Sequence, residues 1–175
     1  RPNHLLGAAT GPIALSDAFT GSRQEVNWTE SEASLRLEDW RIARLSIVVD
    51  GVTWTDQLFG DTLIVEAGHV EAHLLDMPEM HDAEAGRAAL AGYLRAEALS
   101  APGIELTDTN AEIELEVTAL PDDIRNWGAE PILPDWQQAG GKLRILGIRA
   151  NDGTADLNAS GELALDAQGY PTGSI

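Results

Sequence analysis

Three of the four histidines of this chain lie in the segment AGHVEAHLLDMPEMHD, residues 67–82, together with several acidic residues. His69, Glu71 and His73 occupy alternate positions, and His81 follows near the end of the segment. On a β-strand, alternate side chains project from the same face about 7 Å apart, so two imidazoles and a carboxylate could converge on one ion. Two histidines and a carboxylate suit Zn²⁺ or non-haem iron. The pattern is therefore compatible with a metal-binding module or a metal-dependent hydrolase that uses His69, Glu71 and His73, with His81 as a further ligand.

The same segment has a structural interpretation, which we favour. Val70 and Leu74 alternate with the histidines and would face a core, which leaves the polar side chains on the solvent side of an antiparallel sheet. The H-E-x-x-H zinc motif is absent, because Glu71 falls midway between the two histidines. We therefore expect no cofactor and keep the metal site as the alternative.

A second row of potential ligands, Glu112, Glu114 and Glu116, could suggest calcium binding or paired-carboxylate catalysis. Three like charges on one strand face are more typical of a solvated face. The sequence contains no G-x-S-x-G, P-loop or dinucleotide-binding motif. Together these features favour a protein that is not an enzyme.

Composition narrows the possible partners. The chain of 175 residues has 29 acidic and 11 basic residues, for a formal net charge of -18. Such a field repels nucleic acids and anionic lipid headgroups, so we expect no nucleic acid partner. There are no cysteines, which excludes disulfides and thiol catalysis. No apolar run approaches the roughly 20 residues that span a bilayer.

The elements that would position these residues show a period of two. Segments such as EASLRLEDW, GHVEAHLL and NAEIELEVTAL alternate between apolar and polar residues, as half-buried strands do. Asp50-Gly51 lies between two β-branched stretches and predicts a hairpin turn, and the NDG at residues 151–153 predicts another.

Two kinds of segment depart from this pattern. Residues 82–100 are rich in alanine and also alternate, so helix and strand both remain open there. LPDDIRNWG and ILPDWQQAGG predict short helical turns, with Pro134 in a first turn and Gly140 near an end. The five tryptophans are expected to anchor the sheet and its helices. The predicted fold is mainly β within the α+β class, a largely antiparallel curved sheet covered on one face by a few short helices.

The C-terminal stretch adds a family resemblance. A tryptophan before two glycines, an SG-x-L-x-LD strand and a G-x-P-x-G ending resemble DUF2125, a family of uncharacterised bacterial proteins. EASLRLE and VEAHLLDMP also resemble that family's middle strands, His73 included. The matching C-terminal positions are Trp136, Gly140, Gly141, Ser160, Gly161, Leu163, Leu165, Asp166, Gly169, Pro171 and Gly173.

The resemblance implies a location but no reaction. Such proteins typically carry an N-terminal inner-membrane anchor with the body in the periplasm, and they are distantly similar to AsmA-type envelope proteins associated with lipid movement. We therefore expect residues 1–175 to be a single β-rich domain or the C-terminal portion of a longer protein, attached to the membrane through an upstream anchor. The expected partner is lipid or another envelope protein. The family supplies no catalytic residue to carry over.

Overall fold

The computed structural model describes residues 3–16, 21–127 and 131–175. Within these ranges the chain forms eleven strands: β1 (His4–Ala9), β2 (Ile13–Ser16), β3 (Arg23–Asn27), β4 (Glu30–Glu38), β5 (Arg41–Asp56), β6 (Thr62–Asp76), β7 (Arg87–Ala101), β8 (Leu106–Pro121), β9 (Leu143–Asn151), β10 (Asp156–Leu165) and β11 (Pro171–Ser174). The same ranges contain one α-helix, α1 (Ile132–Gln138), and three 3₁₀ helices, Pro78–Met80, Pro102–Ile104 and Ile124–Asn126.

The described strands form one antiparallel sheet. Its order is β1-β4-β5-β6-β7-β8-β9-β10-β11, and β2 and β3 form a branch in which β3 pairs with β5. From β4 to β11, strands that follow each other in the sequence are neighbours in the sheet, as expected where short connections join antiparallel strands. The prediction of a mainly β, largely antiparallel fold with a few short helices is confirmed.

The predicted hairpin at Asp50-Gly51 is wrong, because β5 runs through both residues. Asp50 pairs with His69 on β6, and the same register continues past Gly51. On the other side of β5 the chain passes from β3 to β4 at this point, where the Thr29 backbone N–H donates to the Asp50 carbonyl oxygen at 2.9 Å. Gly51 has a φ of 63°, and a Cβ there would lie 2.5 Å from Thr29 Oγ1. Gly51 therefore lies where the neighbour of β5 changes between β4 and β3 and where there is no room for a side chain. It does not form a turn.

The turn into β5 lies earlier, at Asp39 and Trp40. Both residues have positive φ, 49° and 66°, and β4 pairs with β5 up to Glu38 and Arg41. Positive φ at both central residues is typical of the two-residue hairpin turns that match the twist of the strands. Neither residue is glycine, so no turn motif in the sequence predicted this hairpin. The other predicted hairpin, around Gly153, does connect β9 and β10.

Residues 82–100, for which helix and strand were both open, contain most of strand β7. This strand pairs with β6 on one side and β8 on the other. Three consecutive residues near its start, Ala88, Ala89 and Leu90, are buried. The helix preference of alanine is a weak effect, and here pairing on both sides satisfies the backbone as a strand.

The predicted helical turns form, but they cover less of the sheet than expected. The 3₁₀ helix Ile124–Asn126 and helix α1 correspond to the two predicted segments, and Gly140 has a φ of 68° just after α1. Helix α1 packs against β8. A helix of seven residues is only about 10 Å long, so it protects one end of the sheet and leaves the rest of the face open.

The tryptophans anchor strand ends and loops, as the sequence led us to expect. Trp40 lies under the Arg125 guanidinium, 4.8 Å from ring centre to Cζ. The other four donate their indole N–H groups to oxygens elsewhere in the chain, in the pairs Trp28–Ala9 (3.0 Å), Trp54–Gln24 (3.1 Å), Trp127–Pro121 (2.9 Å) and Trp136–Thr118 (2.7 Å).

The sheet leaves much of its surface open. The described structure exposes 11233 Å², whereas a compact protein of this mass exposes about 8,300 Å². Buried side chains include Ala88, Ala89 and Leu90 near the start of β7, Ala101 at its end, and Trp136 in α1. In the described ranges no large side chain is completely buried. The central part of the sheet therefore lacks a covering layer.

The role of Gly51 can be tested by substitution. Gly51→Ala should lower the free energy of unfolding by about 1–3 kcal/mol, because a side chain at positive φ is strained and here also meets Thr29. Chemical denaturation measures the change. The matched control is Gly7→Ala on edge strand β1, where a Cβ meets nothing within 4 Å. Equal stability of the two variants would contradict the crowding argument.

Candidate functional site

Strand β6 places the histidine segment as the alternation predicted. His69, Glu71 and His73 project from one face of the sheet, which we call the polar face, and Val70 and Leu74 project from the other. Their neighbours on β5 follow the same division, because the register pairs His69 with Asp50 and His73 with Ser46.

The imidazoles of the three histidines in this segment do not converge on one site. Each imidazole contacts a different carboxylate, in the pairs His69 Nδ1–Asp50 Oδ1 (2.7 Å), His73 Nε2–Glu71 Oε2 (3.2 Å) and His81 Nε2–Asp76 Oδ1 (2.7 Å). His81 follows the 3₁₀ helix Pro78–Met80 and is therefore not on β6. The Asp76 carboxylate also accepts from Arg41 Nε at 3.1 Å, which fixes it at the end of the sheet away from His69.

Two of these contacts shift the pKa of a side chain, that of His69 and that of Glu71. The hydrogen bond to Asp50 raises the pKa of His69, because the carboxylate stabilises the imidazolium. The hydrogen bond from His73 lowers the pKa of Glu71, because it stabilises the carboxylate. Both effects strengthen the separate pairs.

His73 has a partner that the sequence did not indicate. Its ring stacks on Tyr93 of β7, with ring centres 6.1 Å apart and an interplanar angle of 14°. Its Nδ1 atom is buried and has no hydrogen-bond partner in the described structure, a cost of about 1–3 kcal/mol for a buried polar group. Burial raises the pKa of Tyr93. Only the register between β6 and β7 brings these two rings together.

The geometry does not gather a metal-ligand set. Across residues 3–16, 21–127 and 131–175, no group of three or more histidine, aspartate or glutamate side chains is placed to hold a metal ion. The hypothesis of a metal at His69, Glu71 and His73 stays a prediction. Elemental analysis of the wild type and His73→Ala tests it, since a bound metal would be lost from the variant.

Arginines neutralise much of the acid on the polar face. On β7, Arg95 contacts Glu97 at 2.6 Å and lies 3.7 Å from Glu71 and 3.9 Å from Glu112. Each such exposed contact contributes little by itself, about 0–1 kcal/mol. Together they line up acids and bases on neighbouring strands.

The glutamate row of β8 is part of the same network. Arg149 of β9 lies 2.8 Å from Glu114 and 3.4 Å from Glu112, and Arg144 lies 2.8 Å from Glu116. The row is therefore on the polar face, as expected, but its charges are paired rather than free. The spacing of residues in the sequence did not indicate these ion pairs, because the arginines lie about thirty residues further along the chain, on another strand.

The central part of the opposite face carries only aliphatic residues over five neighbouring strands. Cross-strand pairing places three residues each from β5, β6, β7, β8 and β9 on this face, and none of these fifteen residues has a polar side-chain atom. We call them the aliphatic surface: Leu45, Ile47, Val49, Val70, Ala72, Leu74, Gly92, Leu94, Ala96, Ala111, Ile113, Leu115, Ile145, Ile148 and Ala150.

The aliphatic surface is open at its centre. Ile145, in the row nearer α1, is 8% exposed, whereas Leu94 in the middle row is 39% exposed although it lies on a central strand. Leu75 of β6 provides a comparison, since it is 55% exposed on the polar face. A wide, partly exposed aliphatic face is rare on a soluble monomer and typically marks an interaction site.

Comparison with known proteins identifies a family without an assigned activity. The family model described as an uncharacterized protein conserved in bacteria (DUF2125) matches residues 1–175. No curated protein and no solved structure matches the chain.

The His69–Asp50 pair predicts a pH dependence. Asp50→Asn should lower the pKa of His69, measured by NMR titration. Because the folded-state pKa of His69 is raised, the pair stabilises the fold fully below the ordinary value of about 6.5. That contribution is lost as pH rises through the folded-state pKa. The side chains of His69 and Asp50 are 32% and 51% exposed. We therefore expect the pair to contribute less than about 1 kcal/mol to the free energy of unfolding.

The loss of stability in Asp50→Asn should therefore be larger near about pH 5.5 than near about pH 8.5. Asp156→Asn is the matched control, because it removes the same charge from β10, where Asp156 Oδ1 accepts from Asn151 and not from a histidine. An equal loss at both pH values would refute the assigned role of the pair.

Proposed function

This chain belongs to the DUF2125 family of uncharacterised bacterial proteins, and we propose that it is a non-enzymatic, periplasmic domain of the cell envelope that binds lipid. The acyl chains lie on the aliphatic surface of β5–β9. The observation that carries this proposal is the continuous set of fifteen residues without a polar side-chain atom, open to solvent at Leu94.

The dimensions of the aliphatic surface suit an acyl chain. Five strands at about 4.8 Å spacing give a width of about 19 Å, and three rows of residues give about 13 Å along the strands. Leu5 and Leu35 continue the row of Leu45 towards one edge of the sheet, by the pairing of β1 with β4 and of β4 with β5. An extended hydrocarbon can therefore lie across several strands without meeting a polar group.

The chemistry of this surface favours lipid over a protein partner. Protein interfaces are enriched in aromatic residues, methionine and arginine, and carry about one hydrogen bond per 100–200 Å². The aliphatic surface has no such residue and no side-chain donor or acceptor. Its backbone groups are already paired within the sheet. It offers apolar contact alone, which is what an acyl chain requires.

The location in the proposal follows from the resemblance to anchored envelope proteins. We assign membrane attachment to an anchor upstream of residue 1 and the β-rich body to the periplasm. In the part of the chain that the structure describes, no helix is both long and apolar enough to span a bilayer.

Lipid binding can be tested by changing one leucine on each face. We expect Leu94→Asp to weaken binding of a phospholipid with a fluorescent acyl chain by at least about tenfold, since a buried leucine contact is worth about 1.5–3 kcal/mol. Leu75→Asp adds the same charge at an exposed leucine of the polar face, and it should bind like the wild type. Circular dichroism checks that both variants fold.

Native mass spectrometry of the full-length protein purified from membranes provides a second readout. Bound phospholipid is expected in the wild type and Leu75→Asp and should be depleted in Leu94→Asp. Equal depletion in both variants, or a wild type without lipid, would overturn the proposal. A co-purifying protein lost only with Leu94→Asp would instead point to an envelope protein partner.

A further inference from the structure

We propose that the polar face carries a binding site for a phosphate-type oxyanion, formed by Arg36 and Arg44 with His4, Ser34 and Ser46. The site spans β1, β4 and β5, on the opposite face from the aliphatic surface. It therefore does not depend on the proposed lipid binding.

Three basic residues lie in one row at this position. The register pairs His4 of β1 with Arg36 of β4 and pairs Arg36 with Arg44 of β5. Residues directly opposite each other on antiparallel strands have Cβ atoms about 4.5–5.5 Å apart, and like charges there are destabilising. Such a pair is unexpected in a chain with 29 acidic and only 11 basic residues.

The arginines of this row are less neutralised than the others on the same face. Arg95 and Arg149 each have a glutamate oxygen within 2.8 Å. Among the described residues, Arg36 forms an ion pair only with the exposed Glu38, at 3.3 Å. In the described part of the chain, the exposed Arg44 side chain has no ion pair or hydrogen bond. Arg44, which lies opposite Arg36, therefore carries a positive charge that no carboxylate in the described structure neutralises.

Hydroxyl groups adjoin the basic row. Ser34 and Ser46 pair directly in the next register position, on the same face as the two arginines. Ser34 Oγ contacts His4 Nε2 at 2.9 Å, whereas the Ser46 hydroxyl has no partner among the described residues. A register shift follows Arg36, and such bulges re-aim neighbouring side chains. The block therefore presents charged donors and hydroxyl donors together.

This donor set matches a phosphate group. A guanidinium offers a planar fork that binds phosphate through paired, charge-assisted hydrogen bonds. An oxyanion between Arg36 and Arg44 replaces their repulsion with two attractive contacts. Glu30 and Glu32 lie farther along β4 on the same face, so an extended polyanion would meet negative charge there. The site fits one small oxyanion or one headgroup, from either free phosphate or a phospholipid.

The test uses the full chain with two probes, inorganic phosphate and phosphatidylcholine vesicles with or without phosphatidic acid. Calorimetry and thermal unfolding measure phosphate binding, since a ligand of the native state raises Tm. Vesicle flotation measures headgroup binding. Arg44→Gln and Arg36→Gln should each weaken binding by about tenfold or more. Arg149→Gln is the matched control, because it removes the same charge from an arginine already paired with glutamates.

Binding of either probe that depends on Arg44 and Arg36 but not Arg149 supports the site, and the probe that binds identifies the source of the phosphate. Without ligand, Arg44→Gln should unfold at the same or a higher temperature than the wild type, because it removes the repulsion from Arg36. Absence of binding to both probes would overturn the proposal. Equal weakening by Arg44→Gln and Arg149→Gln would overturn it too, because that result indicates only a general effect of charge.

Discussion

The register between neighbouring strands from β5 to β9 is the constraint on which the other features depend. Side chains alternate along each strand, so a shift of one residue in any pairing would move that strand's aliphatic residues to the polar face. The pairing of Val70 with Val49 and with Ala96 aligns apolar residues on three strands. The same pairing aligns Glu71 with Arg95 on the other side. The same register therefore separates the two faces and also places arginines next to the acidic residues.

The polar face shows how a chain with a net charge of -18 can keep its acids close together. The glutamates of this face could repel each other across neighbouring strands, but Arg95, Arg144 and Arg149 lie between them. Single exposed pairs contribute little, so their main effect is to remove repulsion. The row at Arg36 and Arg44 is the exception, because there the repulsion is between cations. Local charge, rather than net charge, determines what each part of this face can bind.

The two faces suggest different binding chemistry. The aliphatic surface offers contact without hydrogen bonds, and its openness at Leu94 follows from a helix too short to cover it. The basic row offers charged donors near the edge strand β1. The histidine segment lies between β5 and β7 on the polar face, and its imidazoles hold neighbouring carboxylates. The two proposed sites therefore use opposite sides of one sheet, and His69 and His73 contact carboxylates on the polar side.

The sequence alone determined that β6 and β8 are strands with one apolar and one charged face, because a period of two is a local property of the chain. It could not assign residues 82–100, where alternation and alanine content nearly balance, and pairing with β6 and β8 decided for strand. Gly51 was misassigned to a hairpin because the crowding by Thr29 comes from another strand. The stacking of His73 on Tyr93 was likewise decided only by tertiary structure. Distances between side chains on different strands depend on which distant segments pair and in which register, and no local spacing contains that information.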